Sequence, residues 1–147
     1  MLINKQELKK YRPCTDRWNN YLKHYSEFSG NLIEFLKLDK ITVADKWWVL
    51  DKKLKELPDE LLRHFAFACT SRAVDDCKIK EVADYFNTVV LIYESGDLAL
   101  LNNDEYQASY QAANWAANWA SYQAADWAAE KKLQIDYLIE LLERDFY

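Results

Sequence analysis

Gly30, Gly96, Pro13 and Pro58 are the only glycines and prolines in 147 residues. Hairpins and irregular loops draw on these two residue types, so a chain this poor in both turns mainly between helices. The apolar spacing agrees. Asn4 is placed to cap a short helix reaching Tyr11. The stretch RPCTDRWNNYLKHYSEF, entered at Pro13, carries Cys14, Trp18, Tyr21, Leu22 and Tyr25 at helical spacing, and Gly30 is placed to end it. Asn31 then caps LIEFLKL. Thr42 and Asp45 stand three apart at the start of a helix with Trp47, Trp48, Leu50, Leu54 and Leu57, a capping-box pattern with Asp in place of Glu. Pro58 opens a helix with acids Asp59 and Glu60 in its first turn and apolar Leu61, Leu62, Phe65, Ala66, Cys69 and Ala73. KEVADYFNTVVLIYESG follows as a further helix. Its run VVLIY also suits a buried strand, but no second strand is evident in the sequence to pair with it.

From about Asn103 no Gly or Pro interrupts the chain. Forty residues of helix would span ~60 Å, so a bend near Glu130–Lys132 or a protruding end is expected. The expected fold is all-α: a single-domain bundle of about six to seven helices over 1–147, with N-terminal helices in 1–57 and the rest in 58–147. Its last helix is long and rich in Ala, Trp and Tyr.

Within that helix, residues 106–129 parse as tetrads: YQAS, YQAA, NWAA, NWAS, YQAA, DWAA. At about 100° per residue, Trp115, Trp119 and Tyr122 form one aromatic stripe, continued by Leu133 and Tyr137. Ala117, Ala120, Ser121, Ala124 and Ala128 lie opposite, continued by Ile135, Leu138, Ile139, Leu142 and Phe146. The small side is expected to pack closely on another helix. The aromatic side serves either as core or as a contact surface, and the polar Gln111 and Asp126 within it keep the second use open. An Ala seam beside an aromatic stripe also allows the helix to pair with a copy of itself as a homo-oligomer.

Charge is divided along the chain. Residues 1–80 carry 16 Lys/Arg against 12 Asp/Glu, net +4, and residues 81–147 carry 3 against 12, net −9, together the overall −5. Between Glu81 and Glu130 there are eight acids and no base. Such a segment suits a protein partner with a basic surface and not direct contact with nucleic acid phosphates. No apolar run reaches the length of a membrane span, and MLINKQELKKYRP lacks the apolar core of a secretory signal, so a cytoplasmic location is expected.

No catalytic pattern emerges. His24 and His64 lack ligand-spaced companions, and neither a phosphate-binding glycine loop nor a nucleophile elbow is present. Adjacent acids such as Asp59–Glu60, Asp75–Asp76 and Asp104–Glu105 point to different sides of a helix. Cys14, Cys69 and Cys77 read as reduced thiols, each expected buried and inert. Neither a cofactor nor a metal is implied, and the chain reads as a non-enzyme.

The order of LRHFAFACTSRAV, IKEVADYFNTVVLIYESGD, the Ala-rich aromatic repeat and AAEKKLQIDYLIELLE resembles a group of helical immunity proteins and related bacteriophage proteins. The resemblance spans about residues 58–147, and the N-terminal stretches resemble phage proteins that carry the same second half. Where many relatives have Arg in the repeat, this chain has Asn, Gln and Tyr. The resemblance implies a non-enzymatic protein that binds and neutralises a toxin or, in a phage, a small inhibitor of a bacterial defence effector acting in the cytoplasm of the bacterial host cell. The expected contact residues are Asp97, Asp104, Glu105, Trp115, Trp119, Tyr122, Asp126 and Trp127. A third expectation is a sponge for a nucleotide signal, with Asn114, Asn118, Gln111 and Gln123 lining a pocket and a base from residues 1–80 meeting the phosphate.

Overall fold

The computed structural model describes residues 1–76 and 127–145. Among these the chain is mostly helical, with six α-helices and one small sheet. Strand β1 (Leu2–Asn4) leads into α1 (Lys5–Lys10), followed by α2 (Thr15–Tyr25), β2 (Ser29–Asn31), α3 (Leu32–Leu36) and α4 (Val43–Lys53). A single 3-10 turn, Leu54–Glu56, joins α4 to α5 (Asp59–Asp76), and α6 (Trp127–Asp145) is the last helix described.

Local chemistry sets most of these boundaries. The Asn4 side chain accepts from the Glu7 amide at 2.9 Å and starts α1. The helix stops where Arg12 takes a positive φ of 52° before Pro13, a left-handed stop that prevents continuation. Asn31 starts α3 with a full capping box: its side chain accepts from the Glu34 amide at 2.9 Å, and Glu34 Oε2 accepts from the Asn31 amide at 2.6 Å. Thr42 caps α4 through the Asp45 amide at 3.1 Å. The reciprocal half is missing there, because the Asp45 carboxylate instead takes Arg17 Nε at 2.5 Å.

The sheet is the one addition to the helical expectation. β1 and β2 run antiparallel, with Leu2 opposite Asn31, Ile3 opposite Gly30 and Asn4 opposite Ser29. Helix α2 therefore ends at Tyr25, and Gly30 lies in a strand rather than acting as a helix stop. A Cβ on Gly30 would come within 2.5 Å of Glu34 Oε2 and 2.9 Å of the Phe28 ring, so any larger residue would displace the capping carboxylate or the ring.

One hydrophobic cluster joins the described elements. It holds Ile3, Leu8, Tyr21, Leu32, Phe35, Leu36, Trp47, Leu50, Leu54, Leu61, Leu62, Phe65 and Cys69, with Ile135, Leu138, Leu141 and Leu142 from α6. Helix α6 packs against α3, α4 and α5. It is helical through Glu130–Lys132, and Glu130, Lys131 and Gln134 turn inward and are buried along with the apolar stripe; the stretch from Asn103 to Asp126, on which the expected bend or protruding end depends, lies outside the described residues. Ala128, the last residue of the small-residue side, is exposed. Cys69 is buried as expected, whereas Cys14 is exposed at the N-cap of α2. Cys77, Phe146, the stretch KEVADYFNTVVLIYESG and the rest of the small-residue side lie outside the described residues.

Candidate functional site

Helix α6 has two faces with different chemistry. Inward, Ile135, Leu138, Leu141 and Leu142 fill the core. Lys131 is on the same side at 2% exposure. Its ammonium lies 3.8 Å from the centroid of the Trp47 ring and 5.9 Å from that of Trp127, and its carbonyl accepts from Trp47 Nε1 at 3.0 Å. Burial pushes the Lys131 pKa down to about 8, while Cys69, Asp51 and Glu130 favour its charged form. Gln134 Nε2 donates to Glu130 Oε1 at 2.9 Å, so these two buried polar side chains meet each other. Trp47 also stacks on Phe65 of α5, which ties α4, α5 and α6 together at one point.

Outward, α6 presents Leu133 at 50% exposure; Trp127, at the start of the helix on the Lys131 side, is 47% exposed. Asp136 and Glu140 are exposed near Leu133, and Tyr137 is half-buried. Between this side and α5 runs a groove of about 440 Å³, lined by Ala68, Cys69, Leu133, Gln134, Asp136, Tyr137 and Glu140. The continuation of the aromatic stripe thus borders an open groove, while the continuation of the small-residue stripe forms core.

The acids of α6 are partly answered from within the chain. Lys132 meets Asp136 at 2.6 Å, and Lys37 of α3 pairs with Glu143. Lys46 of α4 is held below its ordinary pKa by burial, with Asp136, Lys132 and Asp39 as the charges that face it. Some of the charge division seen along the sequence therefore serves to hold α6 onto the N-terminal helices. Glu140 forms no ion pair among the described residues.

A second charged cluster is structural. Lys53, 3% exposed, donates to Glu7 at 2.9 Å and to both Glu56 oxygens at 2.9 and 3.1 Å. Hydrogen bonds from Lys10, Lys53 and Tyr11 hold the Glu7 carboxyl down to about 2. Burial opposes the Lys53 charge, but its contacts with Glu7, Tyr11 and Glu56 outweigh that and raise its pKa. The cluster latches α1 to the end of α4. Beside α2, a cavity of about 20 Å³ is bordered by Tyr21, whose buried hydroxyl has no hydrogen-bond partner among the described residues.

Of the expected contact residues, Trp127 is described and is exposed; Asp97, Asp104, Glu105, Trp115, Trp119, Tyr122 and Asp126 lie outside the described residues. Leu133, Asp136, Tyr137 and Glu140 were not singled out as contacts. Their signal was present as two parallel i, i+4 pairs, Leu133–Tyr137 and Asp136–Glu140. Among the described residues no group of His, Cys, Asp and Glu could hold a metal ion, and no helix is long and apolar enough to cross a membrane. Comparison with family models, with curated proteins and with solved structures finds no match to this chain.

Proposed function

We propose that this chain is a non-enzymatic, phage-encoded inhibitor that binds a bacterial defence effector, a nuclease or a nucleic-acid-binding complex, and covers its basic surface. The observation that carries this reading is the outer face of α6, where Leu133 is half exposed next to the carboxylates Asp136 and Glu140, with Trp127 half exposed at the start of the same helix. Apolar anchors rimmed by charge are the usual make-up of a protein contact patch. The acids attract a basic partner and orient it, and the apolar groups slow its release. The resemblance to immunity and phage proteins points the same way. A nucleotide signal suits the α5–α6 groove less well, since its lining holds two carboxylates and no Lys or Arg.

The test is to immobilise the chain, capture protein from bacterial lysate at low and high salt, and identify and purify what is held. The effector's nucleic-acid cleavage or binding is then assayed with added chain. Stoichiometric inhibition that weakens with salt is expected, and Trp127→Ala should reduce it. Failure to inhibit any captured effector, or inhibition indifferent to both salt and Trp127→Ala, would refute the reading.

A further inference from the structure

The α5–α6 groove has an ordered chemistry that narrows what it can hold. Its α6 wall carries two parallel rows one turn long: Leu133 and Tyr137 form the apolar row, and Asp136 and Glu140 the acidic row. Its α5 wall is small and apolar at Ala68 and Cys69. At about 440 Å³ it falls within the roughly 300–1,000 Å³ of pockets that seat ligands of side-chain size and above.

We propose that this groove seats a basic side chain and an adjacent apolar side chain of a partner protein, the cation between Asp136 and Glu140 and the apolar group on Leu133 and Tyr137. This deepens the reading above and rests on it. Charge complementarity selects the occupant: the lining has two carboxylates and no cation. The Lys132–Asp136 pair is exposed at both ends, 65% and 50%, so it holds Asp136 weakly and yields to a better-placed guanidinium. Glu140 is the stronger anchor, because it forms no ion pair among the described residues. The Tyr137 ring adds a cation–π surface on the same side. A nucleic acid would bring its phosphates against the carboxylates.

The test uses the full-length, 15N-labelled chain and two synthetic peptides, acetyl-Leu-Arg-Leu-Arg-amide and acetyl-Leu-Glu-Leu-Glu-amide. The basic peptide should give saturable amide shifts centred on Leu133, Tyr137 and Glu140, and the acidic peptide none. Glu140→Gln and Leu133→Ser change exposed positions and should keep the fold, checked by circular dichroism. Each should weaken the basic peptide about tenfold or more, as expected for loss of one charge-assisted or apolar contact, whereas Glu60→Gln in the first turn of α5 should not. Absent shifts, equal shifts with the acidic peptide, or affinity unchanged in both groove variants would overturn the proposal. So would concentration-dependent self-association that itself shifts these amides, which would assign the groove to a second copy of the chain. Against a captured effector, inhibition retained by both groove variants would overturn the groove assignment and leave the inhibitor reading standing. Peptide binding without any inhibited effector would sink the inhibitor reading and leave the groove's chemistry intact.

Discussion

Lys131 places an ammonium group in the interior at 2% exposure, against the face of Trp47. Desolvating such a charge is costly, and the ring and the nearby Asp51 and Glu130 return only part of the cost. The folded chain therefore releases this proton near pH 8, while the unfolded chain keeps it to about 10.5. Between those values the unfolded state binds more protons, so stability rises with pH, and below pH 8 the full penalty applies. Wild-type protein should gain about 1–2 kcal/mol between pH 7.5 and 9.5 by urea unfolding, and Lys131→Met should lack that gain. Tyr21 carries the opposite lesson about a neutral group. Its hydroxyl is buried without a partner among the described residues, so Tyr21→Phe should leave the unfolding midpoint unchanged or raise stability by up to about 1 kcal/mol.

At the scale of elements, short helices need their ends secured. Helix α3 has five residues, too few to be stable alone, and its capping box satisfies amides that would otherwise be stranded. Asn31→Ala should cost about 1 kcal/mol in thermal or urea unfolding. Helix α1 is held to the end of α4 by the Glu7–Lys53–Glu56 cluster. Because the folded-state pKa of Glu7 is lowered to about 2 from 4.5, its contribution is present above pH 4.5 and is lost as pH falls toward 2. The urea midpoint of the wild type should fall between pH 5 and 2.5 more steeply than that of Glu7→Gln.

At the scale of the whole molecule, stability depends on α6 closing the core built by the N-terminal helices, while its other side remains available. Leu138 is 0% exposed and Leu133 50%. Leu138→Ala should cost about 2–5 kcal/mol through lost burial and a residual cavity, and Leu133→Ser less than about 0.5 kcal/mol. A similar loss at the two positions in denaturant titration would mean that α6 docks by a different face. This asymmetry allows the exposed face to change without loss of the fold.

Much of the helical framework was legible in the residues. Asn4, Asn31, Thr42 and Pro58 mark helix starts, and Leu61, Leu62, Phe65, Ala66 and Cys69 mark the buried positions of α5, because caps and helical periodicity act over three or four residues. The β1–β2 pair was not legible: three residues on each side, far apart in sequence, give no alternation to read. Nor did the sequence disclose the burial of Lys131, Glu130 and Gln134, since polar side chains on a helix ordinarily face water. Helical spacing alone determined that α6 has two non-polar sides. Which side would be covered was decided by tertiary packing, when Trp47 and Phe65, distant in sequence, closed over one of them and left Leu133 on the other in contact with solvent.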